Sequence, residues 1–92
     1  MAGLTKDTGV IAALVVRFES QRLPRLLELK KKVDGGKLLD DADIRFLEEV
    51  QQGASAAQPL IEQHPEYQNL FARAVQLYAE IVETALKNEQ GA

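Results

Sequence analysis

Cysteine is absent from this 92-residue sequence, histidine occurs once, and proline is confined to three positions. Without cysteine there is no disulfide framework, no thiolate nucleophile and no cysteine-ligated metal. A lone histidine needs several converging carboxylates to hold zinc or iron, and no helical His/Glu ligand spacing accompanies it. Glycine is limited to six residues, and alternation of β-branched or aromatic with polar residues is scarce. Both features favour helices over sheet. The apolar run Val10 to Val16 is too short to cross a bilayer, which takes about 20 residues. It also makes a poor signal peptide, because Lys6 is followed by Asp7 and Arg17-Phe18-Glu19-Ser20 offers no small-residue cleavage site. A cytoplasmic protein without a membrane span is the expectation.

The composition is 46% hydrophobic and 27% charged, too apolar for a disordered chain and ordinary for a globular one. One domain, residues 1–92, accounts for the length. Such a chain buries about 60–65% of its unfolded surface, so its stability is modest unless it self-associates. The net charge of -3 is unevenly spread. Residues 1–37 carry eight Lys/Arg against four acids, a balance of +4; residues 38–92 carry three against ten, a balance of −7. The simplest meaning is an intramolecular match between a basic first helix and acidic later ones.

The clearest pattern lies between Glu66 and Lys87. Tyr67, Leu70, Phe71, Ala74, Val75, Leu77, Tyr78, Ile81, Val82, Ala85 and Leu86 fall within roughly half of a helical wheel. Its apolar face resolves into two seams. Tyr67, Leu70, Ala74, Leu77 and Ile81 are expected to seat the second helix, and Phe71, Val75, Tyr78, Val82 and Leu86 the first.

Upstream, Asp7 or Thr8 can cap a helix beginning near Gly9. Its main apolar stripe runs through Ile11, Leu14, Val15, Phe18, Leu26, Leu29 and Val33. A narrower stripe lies opposite, through Ala12, Val16, Leu23 and Leu27. Pro24 removes a donor and crowds the carbonyl of Ser20, so it should kink or restart this helix. Lys30, Lys31 and Lys32 oppose the negative helix end, and Gly35-Gly36 stops it. Asp40 then caps the second helix, with Asp43 completing an approximate capping box. Leu47, Val50, Ala54, Ala57 and Ile61 form its seam, flanked by Phe46. The small residues from Gly53 to Ala57, together with Pro59, predict a bend. His64-Pro65 marks the next boundary.

The expected fold is all-α: an antiparallel bundle of three long helices at about 8–34, 41–63 and 65–89. The first is kinked at Pro24 and the second bent near Gly53–Pro59, with frayed ends at 1–6 and 89–92.

Candidate chemistry is sparse. His64 reads as a helix-boundary residue. A calcium loop starting at Asp41 fails, because its glycine position holds Phe46 and its final acid position Gln52. Acid pairs such as Glu48-Glu49 or Glu80 with Glu83 have no pocket to raise a pKa, and Ser20 and Ser55 have no partner marking a nucleophile. No enzyme, cofactor or metal is therefore expected. Two binding readings stand. In the first, Val16, Leu23 and Leu27 form an apolar interface, and the protein is an interaction module that binds itself, as a dimer, or another protein. In the second, Arg17, Arg22, Arg25, Lys30, Lys31 and Lys32 form a basic patch for nucleic acid. The second is disfavoured: the three lysines point in successive directions, and the chain as a whole is acidic.

Overall fold

A computed structural model describes residues 6–91, with side chains from residue 9 onward. The chain folds into three rods. The first comprises α1 (Lys6–Arg17), a π turn (Phe18–Arg22) and α2 (Leu23–Asp34). The second is α3 (Asp41–Glu62); a 3-10 turn (Pro65–Tyr67) then leads into α4 (Gln68–Gly91). The result is an all-α bundle with extents of 57 × 19 × 17 Å. No helix among the described residues is long and apolar enough to cross a membrane. α1 opens at Lys6, slightly earlier than its capping residues suggest; of the segment 1–6 expected to fray, Lys6 is helical and residues 1–5 lie outside the described residues. At the other end α4 stays helical to Gly91, past the fraying expected from residue 89.

The break in the first rod differs from a simple proline kink. Pro24 sits in the first turn of α2, where a missing N–H costs least. The irregularity lies just before it, where the Leu23 N–H reaches five residues back to the Phe18 carbonyl. A reason lies in the apolar spacing. Phe18 and Leu26 are eight residues apart, which leaves them about 80° out of phase in an uninterrupted α-helix. A π turn absorbs extra residue length in one turn, bringing the two halves of the main stripe toward one side.

The other boundaries follow their caps. Gly36 has φ +84, and the N–H groups of Gly36 and Lys37 return to the carbonyls of Val33 and Lys32, 2.9 and 3.2 Å away. That is a Schellman stop, and it needs the left-handed residue that glycine supplies. The Asn88 side chain adds a distant tie, donating to the Val33 carbonyl at 2.8 Å and the Lys37 carbonyl at 3.1 Å. Asp40 accepts from the Asp43 N–H at 2.8 Å, and the Asp43 carboxylate accepts from the Asp40 N–H at 3.1 Å. The capping box is complete. α3 then runs without interruption through Gly53 and Pro59.

Packing is uneven along the bundle. At one end Leu26, Leu29 and Val33 of α2 meet Phe46, Leu47 and Val50 of α3 around Ile81 of α4. Leu26 and Ile81 are fully buried, and each such side chain contributes about 1.5–3 kcal/mol relative to exposure. Phe18, Leu77, Tyr78 and Val82 close the sides of this core. Of the first seam of α4, Leu77 and Ile81 are seated in this core, whereas Tyr67, Leu70 and Ala74 lie beyond it and are half-buried. The second is only partly covered: Tyr78 and Val82 pack inward, whereas Val75 and Leu86 stay exposed. Backbones approach most closely where α2 meets α4, α3 meets α4 and α1 meets α3. With α1 drawn to α3, Val75 has no close cover from the first rod.

Candidate functional site

Between α1, the second half of α3 and the first half of α4 the bundle opens into an apolar groove of about 770 Å³. Leu14 and Val15 line it from α1, Phe18 from the π turn, and Leu70, Phe71 and Tyr78 from α4. Gly53, Ala54 and Ala57 supply the small surface of α3 between them. Small side chains there leave volume that larger ones would fill. Ile11 and Ile61 are the buried residues of this half outside the main core.

Among the described residues only two charged ones line the groove, Arg17 and Arg22. Arg22 is half-buried, and its guanidinium lies so close to Gly53 that a Cβ there would overlap Nη1. The glycine in α3 therefore makes room for this side chain. Among the described residues neither arginine has a carboxylate within 4 Å. Among the described residues no acid lines the groove.

The sequence-based interface residues fall elsewhere. Val16 is 64% exposed and Leu27 53% exposed, while Leu23 is half-buried. An ideal α-helix would place all three in one line. The π turn between them rotates Leu23 and Leu27 out of line with Val16, so the outer stripe becomes two neighbouring patches.

The six basic residues occupy four surroundings. Arg17 and Arg22 face the groove. Arg25 and Lys32 converge on Asp43: Lys32 Nζ is 2.5 Å from Asp43 Oδ2 and 3.7 Å from Asp40 Oδ2, and Arg25 Nη2 is 3.8 Å from Asp43 Oδ1. Arg25 also lies 4.5 Å from the centre of the Phe46 ring, a cation–π contact. Lys30 pairs with Asp34 at 2.6 Å, and Lys31 is exposed. Three of the six are engaged by acids of the fold itself. Through these contacts the basic end of α2 meets the acidic start of α3.

Asp43 is the one buried polar residue among those described, at 7% exposure. Burial by itself would push its carboxyl up. The Lys32 ammonium, the Asp40 N–H and the Arg25 charge outweigh that and hold it below the ordinary carboxylate range. The same hydrogen bond to Asp43 outweighs desolvation at Lys32 and pushes that ammonium up. A carboxylate held ionised in this way is a structural anchor, and general-acid chemistry at neutral pH requires the opposite shift. His64 stands at the α3 boundary in an extended conformation (φ −131, ψ 83), as its place before Pro65 demands. Its Nδ1 is 3.5 Å from Glu66 Oε1. Among the described residues no group of three or more His, Cys, Asp or Glu could hold a metal ion.

Sequence reasoning missed the groove. Its one legible trace is the run Gly53-Ala54-Ser55-Ala56-Ala57, whose small side chains leave space beside α3. Comparison with family models, curated proteins and solved structures finds no match to this chain.

Proposed function

We propose that this protein is a non-catalytic helical interaction module that self-associates as a dimer through the outer side of its first rod. The observation that carries the proposal is the poor coverage of α1. Of the run Val10 to Val16 only Ile11 is buried; Val10 and Leu14 line the groove, and Val16, 64% exposed, lies on the outer side. A helix that is apolar on every side is ordinarily enclosed. Leu27 extends the exposed apolar surface along the rod, and neither Val16 nor Leu27 lines the groove.

The size of the surface supports the same reading. The chain exposes 6480 Å², whereas a monomer of 10.2 kDa ordinarily exposes about 5,300 Å². The excess is on the order of 1,000 Å², comparable with the roughly 800 Å² that each partner contributes to a standard interface. The radius of gyration, 15.1 Å, likewise exceeds the roughly 12 Å of a compact domain of this length. A cytoplasmic location belongs to the proposal, and the cysteine-free composition is compatible with it.

Light scattering over a concentration series tests the reading. A dimer is expected, and Val16→Glu and Leu27→Glu should each shift the equilibrium toward monomer by tenfold or more without lowering the monomer's helicity. A strict monomer at millimolar concentration overturns the proposal, and a dimer indifferent to both substitutions moves the interface off this face.

A further inference from the structure

The groove on the inner side of α1 has a charge pattern of its own, independent of the outer face. Its volume, about 770 Å³, lies within the range of small-molecule sites. Among the described residues its only charges are two arginines five residues apart, in a chain that is acidic overall. From Val10 to Arg22 the lining of the first rod spans about 18 Å at 1.5 Å per residue, the length of a fatty-acid chain. Arg22 stands where the groove meets the main core, beside Gly53, and Leu14, Ala57 and Phe71 continue the apolar lining away from it.

We propose that this groove binds a free long-chain fatty acid. The hydrocarbon chain lies along Leu14, Ala57 and Phe71, and the carboxylate is received by the Arg22 guanidinium, with Arg17 adding positive potential. The chemistry follows from what the lining offers. An apolar trough rewards a body without hydrogen-bonding groups. A half-buried guanidinium presents its donors in a fork that matches a carboxylate. A docked protein helix would instead call for a polar rim along the contact, and here the charges gather on one short stretch. The π turn contributes Arg22 as its last residue, a placement in keeping with the frequent use of such turns at binding sites.

The probe is laurate, kept below its micelle concentration, set against dodecyltrimethylammonium, which has a hydrocarbon chain of similar length and the opposite charge. Competition with a fluorescent fatty acid should show one laurate per chain at micromolar affinity, with the cationic amphiphile at least tenfold weaker. Arg22→Gln should weaken laurate about tenfold and abolish the preference between the two heads. Ala57→Phe should fill the groove and remove binding of both, with circular dichroism confirming the fold; Ala54→Leu serves if that variant does not fold. Equal affinity for both heads in the unaltered protein overturns the proposal, and so does absence of laurate binding. Undiminished binding to the filled variant identifies surfactant adsorption and rejects the site. Binding to anionic phospholipid vesicles without binding to monomeric laurate places the ligand in a membrane and also overturns it. Dissociation of a dimer by laurate would make the groove the contact between copies, and the fatty-acid site would fall.

Discussion

Asp43 receives a backbone N–H, an ammonium and a guanidinium at one buried carboxylate, so its loss removes a helix cap and an ion-pair anchor together. Asp43→Ala is expected to cost about 2 kcal/mol, lowering the melting temperature by roughly 10 °C in a domain of this size. The pH dependence has a definite sign. Because the folded carboxyl sits below its unfolded value, its contribution is fully present above about pH 4 and is lost as pH falls through the folded value. Melting curves between pH 6 and pH 2 should show this acid loss, and Asp43→Asn should shrink it. An unchanged profile would remove Asp43 from that role. Lys32 works in the other direction: its folded pKa is raised, so its contribution holds below its unfolded value and disappears as pH rises through the folded one. Asn88 is a second residue with reach beyond its helix. Asn88→Ala deletes two hydrogen bonds to carbonyls at the end of α2 and should cost about 1–2 kcal/mol in urea unfolding.

Helix interiors and helix ends respond differently to the same alanine. At Gly36, φ +84 strains any side chain, and Gly36→Ala should destabilise by about 1 kcal/mol. Pro59 is exposed in the interior of α3. Pro59→Ala restores a donor for the Ser55 carbonyl and should raise stability by about 1 kcal/mol or more; a lower melting temperature would contradict this. These ends were legible in the sequence because each carries its own chemistry: Asp40 with Asp43, Gly35-Gly36, and Pro65 after His64. The periodic face from Tyr67 to Leu86 was legible for the same reason, since burial of a helix imposes a repeat on its side chains. The π turn was not, because the reading assumed a constant 100° per residue, although the eight-residue step from Phe18 to Leu26 breaks that period. That single turn accounts for the split between Val16 and Leu27. The groove was equally hidden. Ala54 and Ala57 have the same composition whether a neighbour packs on them or leaves a gap, and only the position of α1 relative to α4 decides which.

The molecule as a whole is a rod with a dense end and an open one. The seven-residue core around Ile81 belongs to the dense end, and α1 is attached to the remainder chiefly along α3. Native-state hydrogen exchange should therefore show two classes of amides. Those of Leu29, Val50 and Ile81 should exchange only with global unfolding, whereas those of Leu14 to Val16 should exchange faster through an opening that depends weakly on urea. Equal protection in both places would show that the two ends unfold as one unit. The tie from Asn88 to Val33 also bears on time. It joins residues 55 apart in sequence, and Leu26 and Ile81 at the heart of the core are equally far apart. At about 5–20 residues per second of synthesis, the first member of each pair waits roughly 3–11 seconds for the second. Throughout that interval the apolar rod from Val10 to Val33 has left the ribosome without its core partner. The fold can close only late, once the helix that carries Ile81 has been made.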